Sequence, residues 1–175
     1  VIDLGCLPDT PFPHLEEALQ ALKEKGYKVS VDSAAPDELL RGGKVGADFL
    51  LSLNEDTLHI ADKVKSTPVL IPKEHRDLPS LYRAMDALDK KGRAYLADPV
   101  LDPINFGFMT SLERYARLRR DRPDAEILMG TGNLTELTDA DTTGITAVLL
   151  GIASELHIRN VLVVQVSPHT RRTVE

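Results

Sequence analysis

Residues 126–144 bring together the groups of this chain best suited to chemistry. The apolar run Glu126-Ile127-Leu128-Met129 opens into Gly130-Thr131-Gly132-Asn133-Leu134-Thr135-Glu136, with Asp139 and Asp141 before a second apolar run begins past Thr143. An apolar strand that ends in a polar, glycine-containing turn holds hydrogen-bonding groups on a rigid base and leaves them accessible. The pattern recurs at Val29-Ser30-Val31-Asp32, Leu51-Ser52-Leu53-Asn54 and Tyr95-Leu96-Ala97-Asp98. A carboxylate can take two N–H donors at once, and an amide supplies one donor and one acceptor. Strand ends carrying such groups can hold a ligand that offers both donors and acceptors.

Each of these residues also has a purely structural reading. Asp32 could cap the helix that Pro36 opens. Asp98 is less suited to capping because Pro99 follows it. Asp102, before Pro103, could simply start a turn, and Asn133 could serve its loop alone. Glu136 reads equally as a site acid and as a loop anchor. Asp139 and Asp141 suit the start of a helix, where the macrodipole favours acids.

Positioning these groups requires alternating strands and helices. Apolar, β-branched runs at 1–5, 28–33, 48–53, 68–72, 94–98, 126–130 and 161–166 read as strands buried on both faces. Helical periodicity fills the intervals 13–25, 36–43, 55–65, 78–91, 109–121 and 143–157, with Leu58, Ala61 and Val64 as the buried stripe of the third. This order predicts a parallel sheet with right-handed crossovers. A doubly wound sheet usually carries a Gly-x-Gly-x-x-Gly turn after its first strand, whereas Gly5-Cys6-Leu7-Pro8-Asp9-Thr10-Pro11 stands here. Polar groups at the ends of many successive strands suit a barrel mouth better, because a TIM (β/α)8-type barrel draws its site from all its strands. Seven strands are one short of closure, so the expectation is an incomplete barrel, 1–175 forming one domain of a longer chain that lacks the first strand and the last helix.

The chain has 175 residues, 42% hydrophobic and 27% charged, enough for one domain with a real core. A net charge of −6 argues against a nucleic-acid surface. The local run Arg114, Arg117, Arg119, Arg120 and Arg122 reads as a solvated helix face. One cysteine, Cys6, permits no internal disulfide, fits a reducing cytoplasm and lacks an evident base partner. No apolar run approaches the roughly 20 residues a bilayer requires. The five histidines are scattered without metal-ligand spacing, and no P-loop is present.

Across nearly its whole length the chain resembles the pterin-binding enzymes, and within them the dihydropteroate synthase-related proteins. Met129 to Gly144, Ala97-Asp98-Pro99-Val100-Leu101-Asp102-Pro103 and Val29-Ser30-Val31-Asp32-Ser33 carry the resemblance. It implies that Asp32 and Asp98 lie in a pterin pocket and that Asn133 faces the pterin, as in the corrinoid-linked methyltransferases. Asn54 is the candidate for the amide at the family's fourth strand, with Ser52 as its competitor, and Asp102 is a further candidate contact. Arg171 and Arg172 would supply anion contacts. The implied reaction is condensation of a dihydropterin pyrophosphate with an aminobenzoate-type amine in folate or tetrahydromethanopterin biosynthesis, with Mg2+ entering through the pyrophosphate. The alternatives are a corrinoid-linked methyltransferase and a non-catalytic pterin-binding domain. Two departures separate the chain from the synthases. Gly132-Asn133-Leu134 stands where they carry Ser-Arg-Lys, and Leu7-Pro8-Asp9-Thr10-Pro11 replaces their Ser-Thr-Arg-Pro loop. No residue is assigned a catalytic role, and Asn105-Phe106-Gly107-Phe108 reads as a lid or as a core or dimer contact. An open barrel would bare a strand edge, so a homodimer is expected.

Overall fold

The computed structural model describes residues 1–136 and 142–164. The chain forms two compact units, Val1–Leu96 and Ala97–Glu175. In the first, strands β1 (Ile2–Gly5), β2 (Val29–Asp32), β3 (Phe49–Leu53) and β4 (Thr67–Leu70) alternate with helices α1 (Leu15–Glu24) and α2 (Pro36–Val45), and α3 (Leu78–Asp89) follows. The sheet order is β1-β2-β3-β4-β5, and the unit boundary falls inside the short β5 (Leu96–Ala97). β1 pairs β2 in parallel with Asp3 opposite Ser30 and Gly5 opposite Asp32, and β2 pairs β3 with Asp32 opposite Leu51.

Local chemistry accounts for these elements. Glu16 and Glu17 in the first turn of α1 and Lys23 in its last match the macrodipole, while Leu15 and Leu19 are buried. Pro36 opens α2, and Gly46 closes it in the left-handed region at φ +106°. Gly42 and Gly43 let α2 approach its neighbours closely. A Cβ at Gly42 would stand 2.9 Å from Val31 Cγ2, and one at Gly43 would stand 2.7 Å from Val64 Cγ1. Asp77 caps α3 by accepting the Ser80 N–H at 3.3 Å.

The helix expected over 55–65 is replaced by a 3-10 turn at Leu58–Ile60. Asn54 and Thr57 explain the difference. Asn54 Oδ1 accepts the Asp56 N–H at 3.0 Å, and Thr57 Oγ1 accepts the Asn54 N–H at 2.9 Å. These local bonds compete with helical ones. Ile60 and Ala61 are buried, while Leu58 and Val64 are only half-buried.

The second unit contains α4 (Phe108–Asp121), β6 (Leu128–Gly130), α5 (Gly132–Thr135), α6 (Thr142–Glu155) and β7 (Asn160–Leu162). Ala97 bridges Ile127 in parallel, and β6 pairs β7 in parallel with Gly130 opposite Leu162. The arginine run on α4 is not a uniformly solvated face. Arg114 is 6% exposed. Arg119 donates to the carbonyls of Leu156, Pro123, Ala125 and His157. A guanidinium has five donors, and here they satisfy carbonyls at loop and helix ends.

Candidate functional site

In the first unit the pleat divides β2. Val29 and Val31 are fully buried, with Val31 beneath Gly42 of α2. Ser30 and Asp32 alternate with them and point to the other face. There Ser30 Oγ donates to Asp3 Oδ1 at 2.5 Å, and Ser52 Oγ donates to Asp32 Oδ1 at 2.6 Å. Ser52 sits where the β3–β4 register shifts, with its backbone at φ +68°. The shift turns its hydroxyl towards Asp32. Asp32 does not cap α2, whose N-cap is Ala35 with no side-chain cap bond. Asn54, the expected amide, is engaged in its local turn.

Asp3 was not among the expected site residues. Burial pushes its carboxyl above the ordinary value; the Ser30 hydroxyl opposes this and the nearby Asp32 charge adds to it. The available signal was an acid inside the apolar run Val1-Ile2-Asp3-Leu4.

A cleft of about 430 Å3 lies along the loop after β1, lined by Leu7, Thr10, Ser33, Glu38 and Arg41 among others. Glu38 is 5% exposed. It accepts the Phe12 N–H at 2.8 Å and the Ser33 hydroxyl at 2.5 Å. The Ser33 hydroxyl, foremost, and the Phe12 N–H hold its carboxyl below the usual range. Arg41 forks onto Glu16 at 2.6 and 2.5 Å. Burial, with Glu38 as its neighbour, pushes the Cys6 thiol up to about 11, so it stays protonated and unreactive at neutral pH.

In the second unit Asp98, 8% exposed, opens a loop that is bound at every step. Asp98 Oδ1 accepts the Val100 N–H at 2.8 Å and the Tyr115 hydroxyl at 2.6 Å. Val100 adopts φ +65°. Arg114 donates to the Pro99 carbonyl at 3.1 Å and the Val100 carbonyl at 2.7 Å, and reaches Asp102 at 3.2 Å. Asn133 Nδ2 donates to the Leu101 carbonyl at 3.1 Å. Asp102 is 1% exposed, in a buried ion pair rather than at an open turn. Asp98, Asp102 and Asn133 are thus brought together around one loop. Asn133 lies on the four-residue α5, an element absent from the sequence expectation, and is exposed.

Phe106 is 73% exposed, and Phe108 lines an apolar groove of about 400 Å3 with Ile104, Leu134 and Val148. Asp139, Asp141, Arg171 and Arg172 lie outside the described residues. Among the described residues no group of three or more His, Cys, Asp or Glu is placed to hold a metal ion. No described helix is long and apolar enough to cross a membrane.

No family model matches the chain. It is similar to an uncharacterized protein of Methanocaldococcus jannaschii, 29% identical over 176 residues that cover 89% of this chain and 33% of that protein. The chain thus spans about a third of the curated relative's length. Among solved structures it is similar to the dihydropteroate synthase of Vibrio fischeri, at 17% identity and TM-score 0.69, covering 99% of this chain and 75% of that one. The Thermus thermophilus enzyme in complex with 6HMPPP matches at 19% identity and TM-score 0.71, covering 98% of this chain and 80% of that one. The same enzyme in complex with 4-aminobenzoate matches at 20% identity and TM-score 0.65, covering 98% of this chain and 81% of that one. The chain therefore has the fold of the dihydropteroate synthases, a parallel α/β fold of the TIM-barrel type, and its described residues form one sheet of five strands and another of two.

Proposed function

We propose that this chain is a pterin-binding protein of the dihydropteroate synthase superfamily and acts as a transferase in the cytoplasm. The observation that carries the reading is the fastened Asp98, a nearly buried carboxylate at a strand end in a fold shared with enzymes that hold 6HMPPP and 4-aminobenzoate. Asp98 accepts the N–H donors of the pterin edge, each such charge-assisted bond contributing about 1.5–3 kcal/mol. The amine nitrogen of an aminobenzoate-type substrate attacks the methylene carbon of a dihydropterin pyrophosphate. The C–N bond forms, the C–O bond to pyrophosphate breaks, and the amine loses a proton. Catalysis is mainly positioning. Mg2+ would arrive with the pyrophosphate and help to stabilise the leaving anion. Arg171 and Arg172 are proposed anion contacts for the leaving group. The pathway is folate or tetrahydromethanopterin biosynthesis, and the protein works as a homodimer.

Calorimetry with a dihydropterin pyrophosphate on the intact protein tests this reading. Binding that is lost in Asp98→Ala supports it; no binding, or undiminished binding in the variant, ends it. A second reading, a corrinoid-linked methyltransferase, draws on Asn133, which is exposed beside the Asp98 loop. Methyl transfer to a supplied corrinoid would select it. Pterin binding without either turnover would select a non-catalytic pterin-binding domain, which Gly132-Asn133-Leu134 in place of a basic segment favours.

A further inference from the structure

Among the described residues of the second unit, Tyr115 is the largest fully buried side chain, 0% exposed on α4. A buried tyrosine hydroxyl needs a partner. The adjoining loop offers the carbonyls of Pro99 and Val100, and Arg114 takes both. The Tyr115 hydroxyl instead donates to Asp98 Oδ1 at 2.6 Å, the oxygen that also accepts the Val100 N–H at 2.8 Å. Two donors on one carboxylate oxygen, one from the helix and one from the loop, fix the carboxylate plane. Neighbouring residues 114 and 115 thus hold different parts of the loop. Arg114 binds its backbone and Asp102, and Tyr115 binds the carboxylate of Asp98.

We propose that Tyr115 is a positioning residue that acts on the ligand through Asp98, fixing the orientation of that carboxylate and keeping it anionic. The inference rests on the pterin reading for the identity of the ligand, but not for the coupling between the two residues. Burial, foremost, together with the Asp98 charge, pushes the Tyr115 phenol well above its ordinary value, so the hydroxyl remains a donor throughout the range in which a carboxyl titrates. Among the described residues, the charges that act on it are those of Asp98 and Asp102, which are negative, and Arg114, which is positive.

The test compares the intact wild type with Tyr115→Phe, which keeps the ring and removes the hydroxyl. The first measurement needs no ligand. It is carbon-13 NMR of the Asp98 carboxyl across an acid titration, with the signal assigned by its absence in Asp98→Asn. Loss of a donor to the charged form moves the protonation midpoint upward in Tyr115→Phe, by about one pH unit. An unmoved midpoint overturns the proposal. The second measurement is fluorescence titration with 6-hydroxymethylpterin and with the matching lumazine, in which a carbonyl replaces the amino donor. The variant should bind the pterin about tenfold more weakly, with little change for the lumazine. Equal losses for both probes would indicate general loosening and overturn the positioning role. If the wild type binds neither probe, the pterin reading fails, and the carboxyl titration alone decides the Tyr115 inference.

Discussion

Ser52 and Asp32 lie on neighbouring strands, and the Ser52 hydroxyl reaches Asp32 Oδ1 at 2.6 Å from a backbone held at φ +68°. The left-handed conformation costs a residue with a Cβ about 1 kcal/mol or more. The register shift between Leu50 and Leu53 imposes it, and the hydrogen bond offsets part of it. Tyr115 and Asp98 repeat the arrangement in the second unit with the same distance, so each strand-end acid has one oxygen held by a hydroxyl.

Ser52 can be separated into backbone and hydroxyl by two substitutions. Ser52→Ala removes the bond and keeps the strain; Ser52→Gly removes both. The glycine variant should be the more stable of the two by about 1 kcal/mol in urea unfolding. Equal stability of the two variants would show that the backbone at this position is not strained.

Asp102 should matter to folding more than to binding. It pairs with Arg114 where the two side chains are 2% and 7% exposed. Asp102→Ala leaves a buried guanidinium without its counter-charge and should lower stability by about 3–5 kcal/mol. A loss below about 1 kcal/mol, the scale of exposed pairs, would show that the ion pair is not buried in solution.

Asp3 sets a pH dependence of one sign. Its carboxyl is raised above the ordinary 3.8, chiefly by burial, so the folded state binds the proton more tightly than the unfolded chain. Stability from this residue is greatest below 3.8 and declines as pH rises through the higher folded value. Asp3→Asn should therefore be more stable than wild type at neutral pH, with the difference shrinking in acid. A variant less stable than wild type at pH 7, by denaturant titration, would contradict the burial argument.

Glu38 sets the opposite sign. The Ser33 hydroxyl and the Phe12 N–H hold its carboxyl below the ordinary 4.5. Its contribution is present above 4.5 and is lost as pH falls through the lower folded value. Glu38→Gln should be less stable than wild type at neutral pH and converge with it in acid. The loop ending at Phe12 should also loosen, read as faster hydrogen exchange at the Phe12 amide. Unchanged exchange would show that the loop is held by other contacts, such as Arg41 on the Phe12 carbonyl.

The period and type of most elements were determined by the sequence alone. Runs such as Val29-Ser30-Val31 and Ile127-Leu128-Met129 are apolar enough that burial dictates a strand, and Leu15 and Leu19 dictate the buried face of α1. The same local pattern marks Asp32, Asp98 and Asn133 as strand-end polar groups. The sequence could not decide what each polar group touches, because hydrogen bonds are made to residues distant along the chain. Arg114 looks like its exposed neighbours until the loop carbonyls of Pro99 and Val100 close around it. Asp3 shows in the sequence only as an acid inside an apolar run, and its partner emerges when β2 places Ser30 opposite it. The helix missing at 55–65 shows the reverse case, where Asn54 and Thr57 outcompete helical periodicity through short-range bonds. Periodicity records which side of an element is buried. Only the folded backbone, by pairing strands at a given register and turning α4 onto one loop, selects which donor meets which carboxylate.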